Sequence, residues 1–97
     1  MKSLHTLNKA PTDTSLWKSC LSALLPGDSL LLIESGVYGA TELDTATQLA
    51  SLSDINLYIL QADMEARGLI NTCPSAQIID DAGFVSLTCQ HDKTVSW

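Results

Sequence analysis

The chain has 97 residues, 45% of them hydrophobic, enough for one domain spanning residues 1–97 with a single core and too few for a second. Five basic residues against 11 acidic ones leave a net charge of -6, and Lys2, Lys9, Lys18, Arg67 and Lys93 are scattered, so the chain is expected not to hold nucleic acid itself. With no apolar run near the roughly 20 residues that span a bilayer and no charged leader before an apolar segment, a cytoplasmic protein with no membrane contact is expected.

Cys20, Cys73 and Cys89 are odd in number and form no C-x-x-C or Cys/His cluster. This argues against a disulfide framework and against a metal site. So small an α/β chain offers little surface for a private active site, which favours an oligomer.

Ser3 to Leu7 alternates apolar with polar and predicts a short first strand, stopped by Asn8-Lys9-Ala10-Pro11. His5 has no partner acid or nucleophile nearby in sequence, so it is read as hydrogen-bonded in the sheet or at a subunit contact. Thr12, Asp13 and Thr14 each offer an N-cap oxygen, and the spacing of Leu16, Trp17, Cys20, Leu21, Leu24 and Leu25 predicts a helix over 13–25 that Pro26-Gly27 ends. Cys20 falls on the apolar stripe of that helix.

Ser29-Leu30-Leu31-Leu32-Ile33 is an unbroken apolar run ending before Gly36, the signature of a strand covered on both faces. Gly36-Val37-Tyr38-Gly39-Ala40 is read as a loop at its carboxyl end. Its glycines do not make G-x-G-x-x-G and no Walker lysine follows, so no cofactor is expected. Ala40, Leu43, Thr47 and Ala50 predict the inner face of a helix over about 40–52.

Ile55 to Leu60 predicts a third strand and Asp63 to Gly68 a short helix with its charges ordered to suit the helix dipole. Asn71 to Ser75 reads as a loop, Ala76 to Ile79 as a fourth strand, Gly83 to Cys89 as a last helix, and Thr94 to Trp97 as an edge strand. Asp80 and Asp81 would suit a receiver-type site, yet Asp81 is equally placed to cap the last helix, the commoner use. Five strands alternating with four helices predict a three-layer, doubly wound α/β sheet, mainly parallel, with helices on both faces.

Four segments together resemble the TusB/DsrH family of small bacterial sulfur-relay subunits: Leu4-His5-Thr6-Leu7-Asn8-Lys9-Ala10-Pro11; Leu57-Tyr58-Ile59-Leu60 with Asp63 and Ala66-Arg67-Gly68; Gly83-Phe84-Val85-Ser86-Leu87-Thr88; and Val95-Ser96-Trp97. The resemblance covers the chain end to end. It implies a subunit of a hetero-hexamer built with sister TusC/TusD-like or DsrE/DsrF-like chains, two copies of each. Such complexes pass a persulfide sulfur between proteins, toward the 2-thio group of the tRNA wobble uridine in the Tus version and within sulfur oxidation in the Dsr version.

In the related chain that carries the sulfur, the resemblance places its cysteine just after the third strand. Here that region is Gln61-Ala62-Asp63, without a thiol, which favours a structural, auxiliary role over an enzyme in its own right. DsrH-like members resemble this chain in having a cysteine in the first helix, which makes Cys20 the candidate persulfide carrier in an alternative reading. Cys73 and Cys89 are read as structural.

Overall fold

The computed structural model describes residues 1–71 and 73–97. Its elements run β1 (Ser3–Leu7), α1 (Thr14–Ala23), β2 (Ser29–Leu32), a 3-10 helix (Glu34–Ala40), α2 (Leu43–Ala50), β3 (Asn56–Leu60), α3 (Gln61–Ala66), β4 (Ala76–Ile79), α4 (Asp81–Gln90) and β5 (Lys93–Ser96). The strands form one sheet in the order β4-β3-β2-β1-β5, with every neighbouring pair parallel.

That order decides where the helices lie. From β1 to β4 the chain steps along the sheet in one direction, so right-handed crossovers place α1, α2 and α3 on one face. The last crossover runs back from β4 to β5 and sets α4 on the other. Core packing agrees: Trp17, Cys20, Ala46, Leu49 and Met64 pack with Leu7, Leu30, Leu32, Leu57 and Ile59, whereas Leu87 packs with Leu4, Leu31 and Leu60. Leu30, Leu31 and Leu32 are each 0% exposed, so β2 is covered on both faces, and burying each side chain is worth about 2 kcal/mol.

Helix α3 starts two residues earlier than expected, at Gln61, and three further differences from the sequence reading bear on packing. Helix α1 begins as expected behind Asp13, whose carboxylate accepts from the Leu16 N–H at 3.4 Å. It stops at Ala23, because the proline at 26 pushes the residues before it out of helical geometry; Leu24 is already extended (ψ 134°). Leu25, counted on the apolar face, is therefore 66% exposed.

Second, the expected loop at 36–40 is a 3-10 helix, and the chain breaks at Thr41 and Glu42 before α2 starts. The break resets the helical phase, so Ala46 and Leu49 point inward, while Leu43, Thr47 and Ala50 face solvent. The two glycines of the 3-10 helix serve close packing. A Cβ on Gly36 would lie 2.0 Å from the Leu7 carbonyl oxygen, and one on Gly39 would lie 2.2 Å from the Trp17 ring.

Third, Asp80 caps α4, its carboxylate accepting from the Gly83 N–H at 2.8 Å. Asp81 is the first helical residue and adds its negative charge to the N-terminal turn instead.

Candidate functional site

Open parallel sheets bind ligands outside the carboxyl ends of their strands, where the winding direction reverses. Here that point lies between β1 and β5. The chain fills it with its own residues. Trp97 follows β5, and its backbone N–H donates to the Thr6 carbonyl at 2.9 Å. Its indole N–H donates to His5 Nδ1 at 3.1 Å, and the two rings stack 6.2 Å apart. Gly36 presses on Leu7 from the β2 side.

His5 does have an acid partner, which its own sequence neighbourhood concealed. Strands β1 and β2 run in register with Leu4 opposite Ser29, so Asp28, just before β2, reaches His5 Nε2 at 3.1 Å. The indole only donates and the carboxylate only accepts, so a ring bonded to both is neutral, with Nδ1 bare toward Trp97 and the proton on Nε2 toward Asp28. Asp28 also accepts from the Ser3 and Leu25 N–H groups. Burial alone would raise its pKa; the two backbone donors and the His5 ring outweigh that and hold the carboxyl below its usual range. At His91, Nδ1 donates to the Leu87 carbonyl at 2.6 Å and Nε2 is hydrogen-bonded with the Ser29 hydroxyl at 2.8 Å. Both histidines are thus spent on tying strands and α4 together.

Cys20, the candidate carrier, sits inside α1 against the sheet and is 0% exposed. Burial pushes its thiol up to about 12. A thiol that keeps its proton at neutral pH is a poor sulfur nucleophile, since the thiolate is the reacting form. Cys73 is also buried, its Sγ 3.8 Å from the Ala46 carbonyl oxygen and 3.4 Å from the Ser75 hydroxyl. Cys89, read as structural, is instead exposed, because it follows Ala82 and Val85 along the outer side of α4. In the native chain iodoacetamide should therefore alkylate Cys89 promptly and leave Cys20 and Cys73 unmodified until denaturant is added, as peptide mass spectrometry would read.

At the carboxyl end of β3, Gln61, Ala62 and Asp63 open α3. The Asp63 carboxylate accepts from the Glu34 backbone N–H at 2.6 Å. Glu34 has φ +49°, a conformation that costs a non-glycine residue about 1 kcal/mol or more, and this clamp helps to hold it. The position thus carries a turn-fixing carboxylate. Of the receiver-type pair, Asp80 is engaged as the cap of α4 and Asp81 is the first residue of that helix. Among the described residues no three His, Cys, Asp or Glu side chains stand together as a metal site, and no helix is long and apolar enough to cross a membrane. A groove of 310 Å³ lies between α1 and α2, lined by Pro11, Thr14, Trp17, Lys18, Thr45 and Gln48 among others.

The molecule is thus a small, wholly parallel, doubly wound α/β chain whose switch point is plugged by its own C-terminal tryptophan. The family model of DsrH-like proteins matches residues 9–94, and the chain belongs to that family. It is 33% identical to Protein TusB of Erwinia tasmaniensis and 36% identical to Protein TusB of Shigella dysenteriae serotype 1, each over 97% of this chain and 99% of the relative. The fold is also that of the ychN protein of E. coli, with a TM-score of 0.75 over 100% of this chain and 99% of the other, at 14% identity.

Proposed function

We propose that this chain is a structural, auxiliary subunit of a cytoplasmic sulfur-relay complex that supports 2-thiolation of the tRNA wobble uridine. The observation that carries this reading is the end-to-end match to TusB proteins in a chain whose carboxyl end of β3 holds a carboxylate clamp rather than a thiol. Persulfide transfer needs a thiolate that attacks the outer sulfur of the donor and expels the donor's own thiolate. A buried, protonated Cys20 is unsuited to that task, so the sulfur passes through a sister chain and this one holds the assembly together.

Deleting the gene should abolish 2-thiouridine at the wobble position of the host's tRNAs, and a Cys20→Ser copy should restore it. Unchanged thiolation in the deletion strain would overturn the reading. With a net charge of -6, the isolated chain should show no tRNA binding in filter assays at physiological salt.

A further inference from the structure

The two imidazoles of the chain differ in what their partners can accept. At His91 both bonded oxygens, the Leu87 carbonyl and the Ser29 hydroxyl, can take a hydrogen, so a ring with protons on both nitrogens keeps both bonds. His5 is different. Asp28 takes a hydrogen from Nε2, but the Trp97 indole can only donate, and it donates to Nδ1. A second proton on this ring goes to Nδ1 and sets one N–H against another across 3.1 Å.

The geometry decides which side yields. His5 is 4% exposed and Asp28 3% exposed, and the carboxylate 3.1 Å from Nε2 attracts a charge on the ring. The rings are 21° from parallel with centroids 6.2 Å apart, and their bonded nitrogens bring edge against edge. The charge therefore meets the positive rim of the indole and not its face. Trp97 is half-buried behind the edge strand β5, so its side chain can turn out while its backbone N–H keeps the Thr6 carbonyl at 2.9 Å.

The neighbouring charged groups leave the switch to His5. On the same face of the sheet, Cys20 of α1 keeps its proton, its thiol pushed up to about 12, and Lys18 of that helix is exposed. Lys93 of β5 stands opposite Ser3, two residues before His5, and Asp92 accepts the Lys2 backbone N–H at 2.7 Å. His91 reaches Ser29, which pairs with Leu4 on the α4 side. Imidazole is the side chain whose charge ordinarily changes between about pH 5 and pH 8.

We infer that the Trp97 indole is a proton-released plug: on neutral His5 it closes the carboxyl end between β1 and β5, and a proton taken from solvent onto Nδ1 turns it out and opens that end. The inference stands apart from the subunit reading, since every group in it belongs to this chain.

The test follows the two indole N–H resonances of the full-length, nitrogen-15-labelled chain from about pH 8 to about pH 5. Trp17, whose indole donates to the Lys9 carbonyl at 2.7 Å, is the internal reference. Acidification should move the Trp97 resonance and speed its exchange with water by about tenfold or more, reversibly, while Trp17 stays fixed. His5 Nδ1 should gain its proton in the same step, read from the ring nitrogen shifts. His5→Gln offers an amide oxygen to the indole and an amide N–H to Asp28 at every pH, so its Trp97 resonance should not respond; His91→Gln should respond as the wild type does.

A Trp97 resonance that stays fixed in the wild type overturns the plug, as does one that moves while Nδ1 is still bare. Both indoles moving together would mean general loosening and overturn it too. So would a folded His5→Gln chain that responds like the wild type. The wild-type titration decides on its own if that variant does not fold.

Discussion

Gly36→Ala is expected to destabilise the chain by about 3 kcal/mol or more, the upper range for forcing atoms into a packed site. The added methyl would sit 2.0 Å from the Leu7 carbonyl oxygen and 3.0 Å from the carbon behind it. These are backbone atoms, and that oxygen already accepts the Ile33 N–H at 3.1 Å, so it cannot retreat without breaking the bond that ties β2 to β1. Gly27→Ala provides the contrast. Its φ is +90° with nothing within 4 Å, so its cost is backbone strain alone, about 1 kcal/mol. Urea unfolding followed by circular dichroism would compare the two; equal midpoints would show that the 3-10 helix does not press on β1 as described.

Asp28→Ala is expected to cost about 3 kcal/mol or more, because three donors lose their acceptor in a site where Asp28 itself is 3% exposed. The same carboxylate gives stability a defined pH dependence. Its pKa lies below the ordinary 3.8 in the folded chain, so its contribution is complete above the unfolded-state pKa and is lost as pH falls through 3.8 toward the folded value. Chemical unfolding between about pH 5 and pH 2 should show the wild type losing stability over that window, and Asp28→Ala should lose correspondingly less there. Parallel pH profiles for the two proteins would contradict the Asp28 network.

Much of this was legible in the sequence. Leu30 to Ile33 is apolar without alternation and too short for a stable helix, which reads as a doubly covered strand, and the short connections left a parallel, doubly wound sheet as the consistent answer. What escaped was set by three-dimensional contact. The inner face of α2 depends on where the chain breaks after the 3-10 helix, and nothing in Thr41-Glu42 announces that break. The pairing of His5 with Asp28 spans 23 residues and follows from strand register; the legible clue was an acid immediately before the strand next to His5. The burial of Cys20 was legible from its place on the apolar stripe of α1, and the packed structure seats it against the sheet. Cys89 was read as structural for want of a counterpart in the resemblance; its exposure beside Ala82 and Val85 follows from α4 turning Leu87 inward.

In the proposed function this chain holds sister chains and does not carry sulfur. The most direct measurement loads the assembled complex with a persulfide donor and maps the added sulfur, an increment of about 32 Da per cysteine persulfide, by peptide mass spectrometry. The sulfur should appear on a thiol of a sister chain, with Cys20 unmodified. A persulfide on Cys20 that forms and then discharges to an acceptor would contradict the account.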